Sequence, residues 1–176
     1  MHALDAPARP SFDGARAPLG PRLVAALGLR PVSPAAVAAG ALLGACLAAH
    51  VLVAASLTLG YRVSAAPATR LLVWLSYDLC VNVPLTECFL RGVLFDRAYR
   101  RWSLPIAAGV SVMVSIVRYL VDPRLPPTIE AAVGAVFYMA LLSATNCWLV
   151  ARTGSVLPAL ASAAAFFAGW RLLTLG

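Results

Sequence analysis

The chain has 176 residues, of which 61% are hydrophobic and only 12% are charged, and its net charge is +7 at pH 7. Soluble domains carry about 25% charged residues, so the composition excludes an ordinary soluble globular domain. All the basic residues are arginines, and they are scattered between apolar segments rather than gathered into a patch. This distribution argues against nucleic-acid binding and is typical of the loops of a membrane protein.

The N-terminal part of the chain differs in composition from the rest. Residues 1–21 contain four prolines and two arginines, a composition that predicts a flexible segment without a packed core. The segment Arg22–Leu29 (RLVAALGL) is apolar and short, as is typical of an interfacial helix that lies on the membrane surface. We therefore divide the chain into a flexible segment, 1–21, and a membrane domain, 22–176.

Long apolar runs fill this second part. No charged residue occurs within 31–61, 131–151 or 153–170, and each run meets the length of about 18 residues that makes a transmembrane helix candidate. The pattern predicts an all-α, polytopic bundle embedded in a lipid bilayer. The five predicted spans are 35–59, 71–89 (which continues as a helix towards Tyr99), 103–120, 129–151 and 155–174.

The orientation of these spans follows from the arginines in the connecting segments. With the N-terminus in the cytoplasm, eight arginines lie on the cytoplasmic side and five on the other side, which favours this orientation. The cytoplasmic set is Arg9, Arg16, Arg22, Arg30, Arg97, Arg100, Arg101 and Arg152, and the opposite set is Arg62, Arg70, Arg118, Arg124 and Arg171.

Polar side chains recur within the second predicted span. Asp78, Asn82 and Thr86 follow one another every four residues, so they share one face of a helix. Glu87 comes directly after Thr86, and Arg91 follows Glu87 by one helical turn, a spacing at which the two charges partly neutralise each other. Ionisable residues inside a membrane indicate a functional site by default. The alternative is a structural ion pair that joins two helices.

Pro84 interrupts the same span just before the charged pair. Proline has no backbone N–H, and its ring clashes with the carbonyl four residues earlier. A membrane helix tolerates this defect only where neighbouring groups satisfy the freed carbonyl. We therefore expect a kink or a released carbonyl next to the charged pair, in contact with other helices.

Three segments together resemble one family. The sequence Thr86–Gly92 (TECFLRG) resembles the EExxxRG motif of the CPBP intramembrane proteases, which are the CAAX-processing endopeptidases and their prokaryotic relatives. The segment Ala151–Ser162 (ARTGSVLPALAS) resembles the last conserved block of that family, and Gly28–Pro31 fits the residues that precede its first span. The resemblance covers most of residues 22–175. It implies a helical membrane fold, intramembrane endopeptidase activity and a place in a prokaryotic cytoplasmic membrane.

Four positions of the family's active site are changed in this chain. The resemblance places a pair of glutamates in the first motif, where this chain has Thr86 and Glu87, so the glutamate usually assigned to water activation is lost. The histidine that ends the second motif corresponds to Arg118. The histidine and asparagine of the third motif correspond to Ser162 and Phe166.

These changes decide which functions remain open. Peptide hydrolysis needs a base for water, a group that stabilises the oxyanion and a proton donor for the leaving amine. Thr86 is no base near neutral pH, and Arg118 is permanently charged. We expect a non-catalytic member that binds a membrane-anchored protein, or that assists an active protease relative in processing or sorting such proteins. Two alternatives stay open: an active endopeptidase in which Glu87 activates water and Arg118 holds the oxyanion, and an unrelated small membrane protein such as a transporter subunit.

No cofactor and no metal site are expected. The chain has only two histidines, His2 and His50, and a metal needs three or four ligands. The remaining ligand candidates near Glu87 are Asp78 and Cys88. His50 matches none of the family's motifs, and we expect it to be a hydrogen-bonded core residue.

Overall fold

The computed structural model describes residues 24–62, 64, 67–121 and 128–172, and these residues form an all-α bundle. Within these ranges no β-strand occurs, so the predicted fold class is confirmed. Five main helices follow one another within these ranges. The bounds are Pro34–Thr58 (α1), 68–99 (α2), Leu104–Leu120 (α3), Ile129–Thr153 (α4) and Leu157–Trp170 (α5).

Local sequence signals set several of the helix ends. Before α1, the hydroxyl of Ser33 accepts a hydrogen bond from the N–H of Ala36 (3.3 Å), and before α4 the hydroxyl of Thr128 accepts one from Ala131 (3.3 Å). At the other end of α4, Gly154 has a φ of +68°, a left-handed conformation that favours glycine. The short turn that follows reverses the chain into α5, so that α5 packs along the bundle.

Small residues bring α1 and α5 into close contact. A Cβ atom at Gly40 would clash with the backbone carbonyl of Pro158, and one at Gly44 would clash with the carbonyl of Ser162. One helical turn later, Ala48 is buried in the core. Helices with small residues every four positions approach each other closely in membranes. This contact fixes the position of α5, which carries two of the predicted site residues.

The second helix is continuous, but its helical pitch changes along its length. The first π-helical segment ends two residues before Pro84, so the expected disturbance at this proline takes the form of a widened turn. Such π-helical turns are uncommon and frequently occur at functional sites. The α-helical segments are Ala68–Tyr77, Val83–Glu87 and Asp96–Tyr99, and the π-helical segments are Asp78–Asn82 and Cys88–Phe95.

The five helices match the five predicted spans in position, but they differ in length. Two of them, α1 and α4, have 25 residues each and are apolar enough to be candidate membrane spans. They reach about 37 Å at about 1.5 Å per residue, enough to cross about 30 Å of hydrocarbon. The apolar helices α3 and α5 are shorter, with 17 and 14 residues. The polar second helix packs against α3, α4 and α5.

Only part of the N-terminal prediction falls within the described residues. Residues 24–26 form one helical turn inside the predicted interfacial helix Arg22–Leu29. The first two residues of that helix and the predicted flexible segment 1–21 lie outside the described residues. The domain boundary at residue 22 therefore stays a prediction, as does the cytoplasmic position of the N-terminus.

Candidate functional site

The pair predicted from the sequence, Glu87 and Arg91, lies in the interior of the bundle. The two residues are only 3% and 2% exposed. Arg91 Nε lies 3.3 Å from Glu87 Oε2, within ion-pair distance, although the contact does not have the geometry of a hydrogen bond. Both charges are removed from water, so each depends on the other to offset the cost of burial. The i, i+4 spacing therefore produces the ion pair that the sequence predicts.

Two serines on other helices complete the environment of Arg91. Its Nη2 donates a hydrogen bond to the hydroxyl of Ser143 on α4 (2.6 Å), and its Nη1 donates to the hydroxyl of Ser115 on α3 (3.4 Å). The two hydroxyls are 3.1 Å apart. The hydroxyl of Ser111 donates to the carbonyl of Leu90 (3.2 Å), which joins α3 to α2 again. The guanidinium thus connects three helices at one buried point.

Several buried polar atoms of the bundle have no hydrogen-bond partner among the described residues. They are Glu87 Oε2, Arg91 Nε, both side-chain polar atoms of Asn146, and the hydroxyl of Ser162. Asn146 is fully buried and lies close to the Glu87 carboxyl, without a hydrogen bond to it. Buried polar groups normally have partners, supplied by protein or by ordered water. The interior therefore contains polar atoms for which the described residues provide no hydrogen-bond partner.

A second polar network runs along another face of α2. Asn82 Nδ2 donates to Asp78 Oδ1 (3.0 Å), and the Thr86 hydroxyl donates to Asn82 Oδ1 (3.4 Å). The guanidinium of Arg118 donates to the same Oδ1 (2.6 Å). At the other end, Arg171 Nε lies 2.5 Å from Asp78 Oδ2. The face predicted from the four-residue spacing is real, and it recruits an arginine from α3 and one from the end of α5.

This second network forms one wall of a cavity of about 600 Å³, which we call the distal cavity. It lies at the distal end of the bundle, where α1, α3 and α5 end. Aromatic and apolar side chains form the rest of its wall. The lining residues are Tyr77, Asp78, Asn82, Arg118, Tyr119, Val121, Ala135, Met139, Phe166, Phe167, Trp170 and Arg171.

The remaining predicted site residues have different surroundings. Phe166 lines the distal cavity together with Arg118, and it is also part of the buried apolar core. Ser162 lies one helical turn earlier on α5 and is fully buried, where its carbonyl contacts the backbone at Gly44. Glu87 lines neither the distal cavity nor the other cavity described below. The structure thus separates the buried glutamate from the positions that open onto the cavity.

Three buried residues that contact or neighbour the charged pair were missed by the sequence reasoning. Ser115, Ser143 and Asn146 lie in apolar helices, and their neighbours in the sequence give no charge pattern. The only available signal was spacing, because Ser111 and Ser115 lie four residues apart on one helix face, and Ser143 and Asn146 lie three apart. That signal identifies a polar face but does not say which helix it contacts.

His50 and the potential metal ligands lie apart from both networks. Nδ1 of His50 lies 2.6 Å from the hydroxyl of Tyr138, a hydrogen bond that joins α1 to α4. His50 is hydrogen-bonded, as predicted, but it is exposed rather than in the core. Within the described ranges, no group of three or more histidine, cysteine, aspartate or glutamate side chains has the arrangement of a metal site.

Comparison with known proteins gives one match. The family model described as type II CAAX prenyl endopeptidase Rce1-like matches residues 68–168, which is more than half of the chain. The matched range begins with α2 and ends near the end of α5, so it contains both polar networks except for Arg171, which follows the range. No curated protein and no solved structure matches the chain.

Proposed function

Since the chain belongs to the Rce1-like family of type II CAAX prenyl endopeptidases, we propose that it is a non-catalytic member that binds a membrane-anchored protein. Membership in this family excludes the unrelated membrane protein, such as a transporter subunit, that the sequence alone left open. The chain is a membrane protein of the CAAX-protease type, and two of its helices are apolar and long enough to span a bilayer. The loss of catalysis and the binding role are our proposal.

The observation that carries the proposal is the position of the surviving glutamate. A general base must reach the water that it activates, either directly or through one further water. Glu87 is 3% exposed, is paired with Arg91 at 3.3 Å and lines neither cavity. Arg91 is in turn held by serines of α3 and α4. This environment suits a structural pair that holds three helices together.

The residues that line the distal cavity also support the proposal of a non-catalytic member. By the family resemblance, the positions of Arg118 and Phe166 correspond to a histidine and an asparagine in active members. An arginine is not deprotonated near neutral pH, and a phenylalanine neither donates nor accepts a hydrogen bond, so neither residue transfers a proton. The cavity has a volume of about 600 Å³ and a wall of polar and aromatic side chains. Such a cavity is suited to binding an apolar segment that carries a polar group.

We further propose that the chain acts in a prokaryotic cytoplasmic membrane with its N-terminus in the cytoplasm. Its partner there is a protein with a membrane anchor, or an active protease relative that processes or sorts such proteins. The aromatic wall formed by Phe166, Phe167 and Trp170 accommodates an apolar anchor segment, and Arg118 and Arg171 provide donors for its polar end.

One observation favours the competing function, an endopeptidase that depends on Glu87. Oε2 of Glu87 and the amide of neighbouring Asn146 lack hydrogen-bond partners in the described part of the chain. Water bound there would be within reach of a carboxylate and of an amide that can donate to an oxyanion.

The proposal is tested by site-specific photo-crosslinking in native membranes. A benzoylphenylalanine replaces Met139, which lines the distal cavity, and in a control chain it replaces Val133, which is exposed on the same helix. We expect the probe at residue 139 to yield a protein adduct whose partner has its full length by mass spectrometry. The probe at residue 133 should react with lipid alone.

A second comparison connects the adduct to the polar wall of the cavity. Arg118→Gln removes the cation that donates to Asn82 and should reduce the adduct at residue 139 by more than half. Arg97→Gln, which removes an exposed arginine at the opposite end of the bundle, should leave the yield unchanged. The proposal is wrong if residue 139 yields no protein adduct, or if the captured partner has been shortened.

A further inference from the structure

A second cavity, of about 570 Å³, lies at the opposite end of the bundle, and we call it the proximal cavity. One side of it is formed by residues 24–30, which dock on the turn between α4 and α5. The N–H of Val156 donates to the carbonyl of Gly28 (2.9 Å), and the hydroxyl of Ser155 donates to the carbonyl of Arg30 (2.6 Å). The backbone of this segment also lies against Gly92 of α2. These contacts hold residues 24–30 in place, so this side of the cavity has a defined shape.

The charged groups on the wall of this cavity are mainly positive. Arg30, Arg91 and Arg100 line it, together with one carboxylate, Asp96. Asp96 pairs with Arg100 (2.7 Å), and Arg91 is paired with Glu87. Arg30 has no carboxylate partner among the described residues. A net positive charge therefore remains on the wall, which favours an anionic ligand.

The wider proximal end has the same charge. Among the described residues, five exposed arginines and one carboxylate lie where α1 begins and where α2 and α4 end: Arg30, Arg97, Arg100, Arg101, Arg152 and Asp96. At the distal end the described residues include four arginines and two carboxylates: Arg62, Arg70, Arg118, Arg171, Asp78 and Glu130. The proximal end is thus the more positive of the two.

Two features of the cavity indicate which kind of anion it binds: its level in the membrane and the apolar part of its wall. The proximal cavity lies where α1 begins and α4 ends. Because these two helices are the candidate membrane spans, this position corresponds to the level of the lipid headgroups. Beside the arginines, the wall is made of apolar and aromatic side chains such as Phe95, Tyr99 and Val150. A small hydrophilic anion would leave this apolar surface uncovered, whereas a phospholipid carries both a phosphate and acyl chains.

We propose that the proximal cavity binds the headgroup of an anionic membrane phospholipid, with its phosphate between Arg30 and Arg100. Basic pockets between transmembrane helices bind anionic headgroups in this way. The bound lipid would bridge residues 24–30 to the end of α2, and so would hold the docked segment against the bundle. This site is independent of the distal cavity and of whether the chain cleaves any substrate.

The binding is measured by native mass spectrometry of the purified full-length chain in a lipid-free detergent, titrated with phosphatidylglycerol. Phosphatidylcholine, which has the same phosphate but no net charge, and inorganic phosphate are titrated in parallel. We expect saturable binding of phosphatidylglycerol, at least tenfold weaker binding of phosphatidylcholine, and no competition by millimolar phosphate. Equal binding of the two lipids, or full displacement by phosphate, would refute a site for an anionic lipid.

Matched variants test the position of the site. Arg30→Gln combined with Arg100→Gln should weaken phosphatidylglycerol binding about tenfold. Arg97→Gln combined with Arg101→Gln removes the same charge from the same end but from residues outside the cavity wall, and should change binding less than threefold. Equal losses in the two double variants would mean that the lipid responds to general surface charge, which overturns the proposal.

Two further variants separate binding from folding and from a competing occupant. Replacing Arg30 and Arg100 by lysine retains the charge and should retain most of the binding, so that a loss in the glutamine variant is not a folding defect. A chain without residues 1–20, which include Asp5 and Asp13, tests whether these acidic residues compete for the arginines. Stronger lipid binding by the shortened chain, with no saturable binding by the full chain, would assign the cavity to the chain's own N-terminus.

Discussion

The two polar networks of α2 differ in their surroundings, although they lie side by side on one helix. The inner network, Glu87 and Arg91 with their serines, is buried between α2, α3 and α4, and only Arg91 reaches the wall of the proximal cavity. The outer network, which includes Asp78, Asn82 and Arg118, forms a wall of the distal cavity. Both networks join helices, and we propose that they differ in a second respect: the inner one is structural, and the outer one also contacts a ligand in the distal cavity.

This difference has an energetic consequence. The loss of one partner from a buried ion pair leaves an uncompensated charge and typically costs about 3–5 kcal/mol. The loss of an exposed charge costs little, because water takes the place of the partner. If the two networks have the roles that we propose, variants of the inner network should unfold the protein, and variants of the outer network should change binding.

The largest effect is expected for Arg91→Leu. This change leaves the carboxylate of Glu87 buried without its cation, and it removes the donor that joins Ser115 to Ser143. We expect the free energy of unfolding in mixed micelles, measured by titration with sodium dodecyl sulfate, to fall by about 3–5 kcal/mol.

The double variant Glu87→Gln with Arg91→Leu provides the control for this measurement. It removes the uncompensated charge, so at least a third of the lost stability should return. A double variant that is no more stable than Arg91→Leu would mean that the charge of Glu87 is not the cause of the loss, and the inner network would then not be a structural ion pair.

The next largest effect is expected for Gly44→Ala, which tests the packing that fixes α5 beside the networks. The new Cβ atom would clash with the carbonyl of Ser162, a backbone atom that cannot move without shifting the helix. We expect a loss of about 3 kcal/mol, at the upper end of the range for an overpacked interior. Gly134→Ala is the matched control, because the space around Gly134 is open. It should be neutral or slightly stabilising, since alanine favours a helix.

An intermediate effect is expected for Arg171→Gln. Asp78 is fully buried, but the side chain of its partner Arg171 is 25% exposed. The exposure of this pair therefore lies between that of the buried pair Glu87–Arg91 and that of an exposed charge. The amide of Asn82 still donates to Asp78 after the change. We expect a loss of about 2 kcal/mol in the same unfolding assay. A loss as large as that of Arg91→Leu would place this pair with the inner network and remove the distinction that we draw.

The sequence predicts the fold better than it predicts the contacts of the site. The charge-free runs predict α1 and α4 closely, at 35–59 against Pro34–Thr58 and at 129–151 against Ile129–Thr153. Hydropathy suffices there because burial in lipid requires nearly every side chain of a span to be apolar. The fifth helix begins later than predicted, at Leu157, because the turn at Gly154 comes first.

The contacts of the site depend on which helices face each other. The spacing of Glu87 and Arg91 predicts their ion pair because both lie on one helix. Arg171 is 93 residues from Asp78, and Ser143 is 52 residues from Arg91. Only the packing of α3, α4 and α5 around α2 brings such partners together, and a single sequence carries no periodic signal for that packing.

The smallest effect on stability is expected for Arg118→Gln. Arg118 is exposed, and its hydrogen bond to Asn82 is made at the wall of the cavity. We expect the free energy of unfolding to change by less than about 0.5 kcal/mol, as for most surface substitutions. The same variant should lose more than half of the cross-linked partner. A large loss of stability without a loss of binding would show that Arg118 stabilises the fold, as the inner network does, and does not bind the partner.

The central claim, that the buried Glu87 performs no hydrolysis, is tested most directly by isotope incorporation. Proteoliposomes that contain the chain and the membrane proteins of its host are incubated in water enriched in ¹⁸O. Each hydrolysed peptide bond then leaves a new C-terminal carboxylate labelled with ¹⁸O, which is detected by mass spectrometry. We predict the same set of labelled C-termini for the wild-type chain and for Glu87→Gln. Labelled C-termini that occur with the wild type and disappear in Glu87→Gln would contradict the account and establish an active endopeptidase.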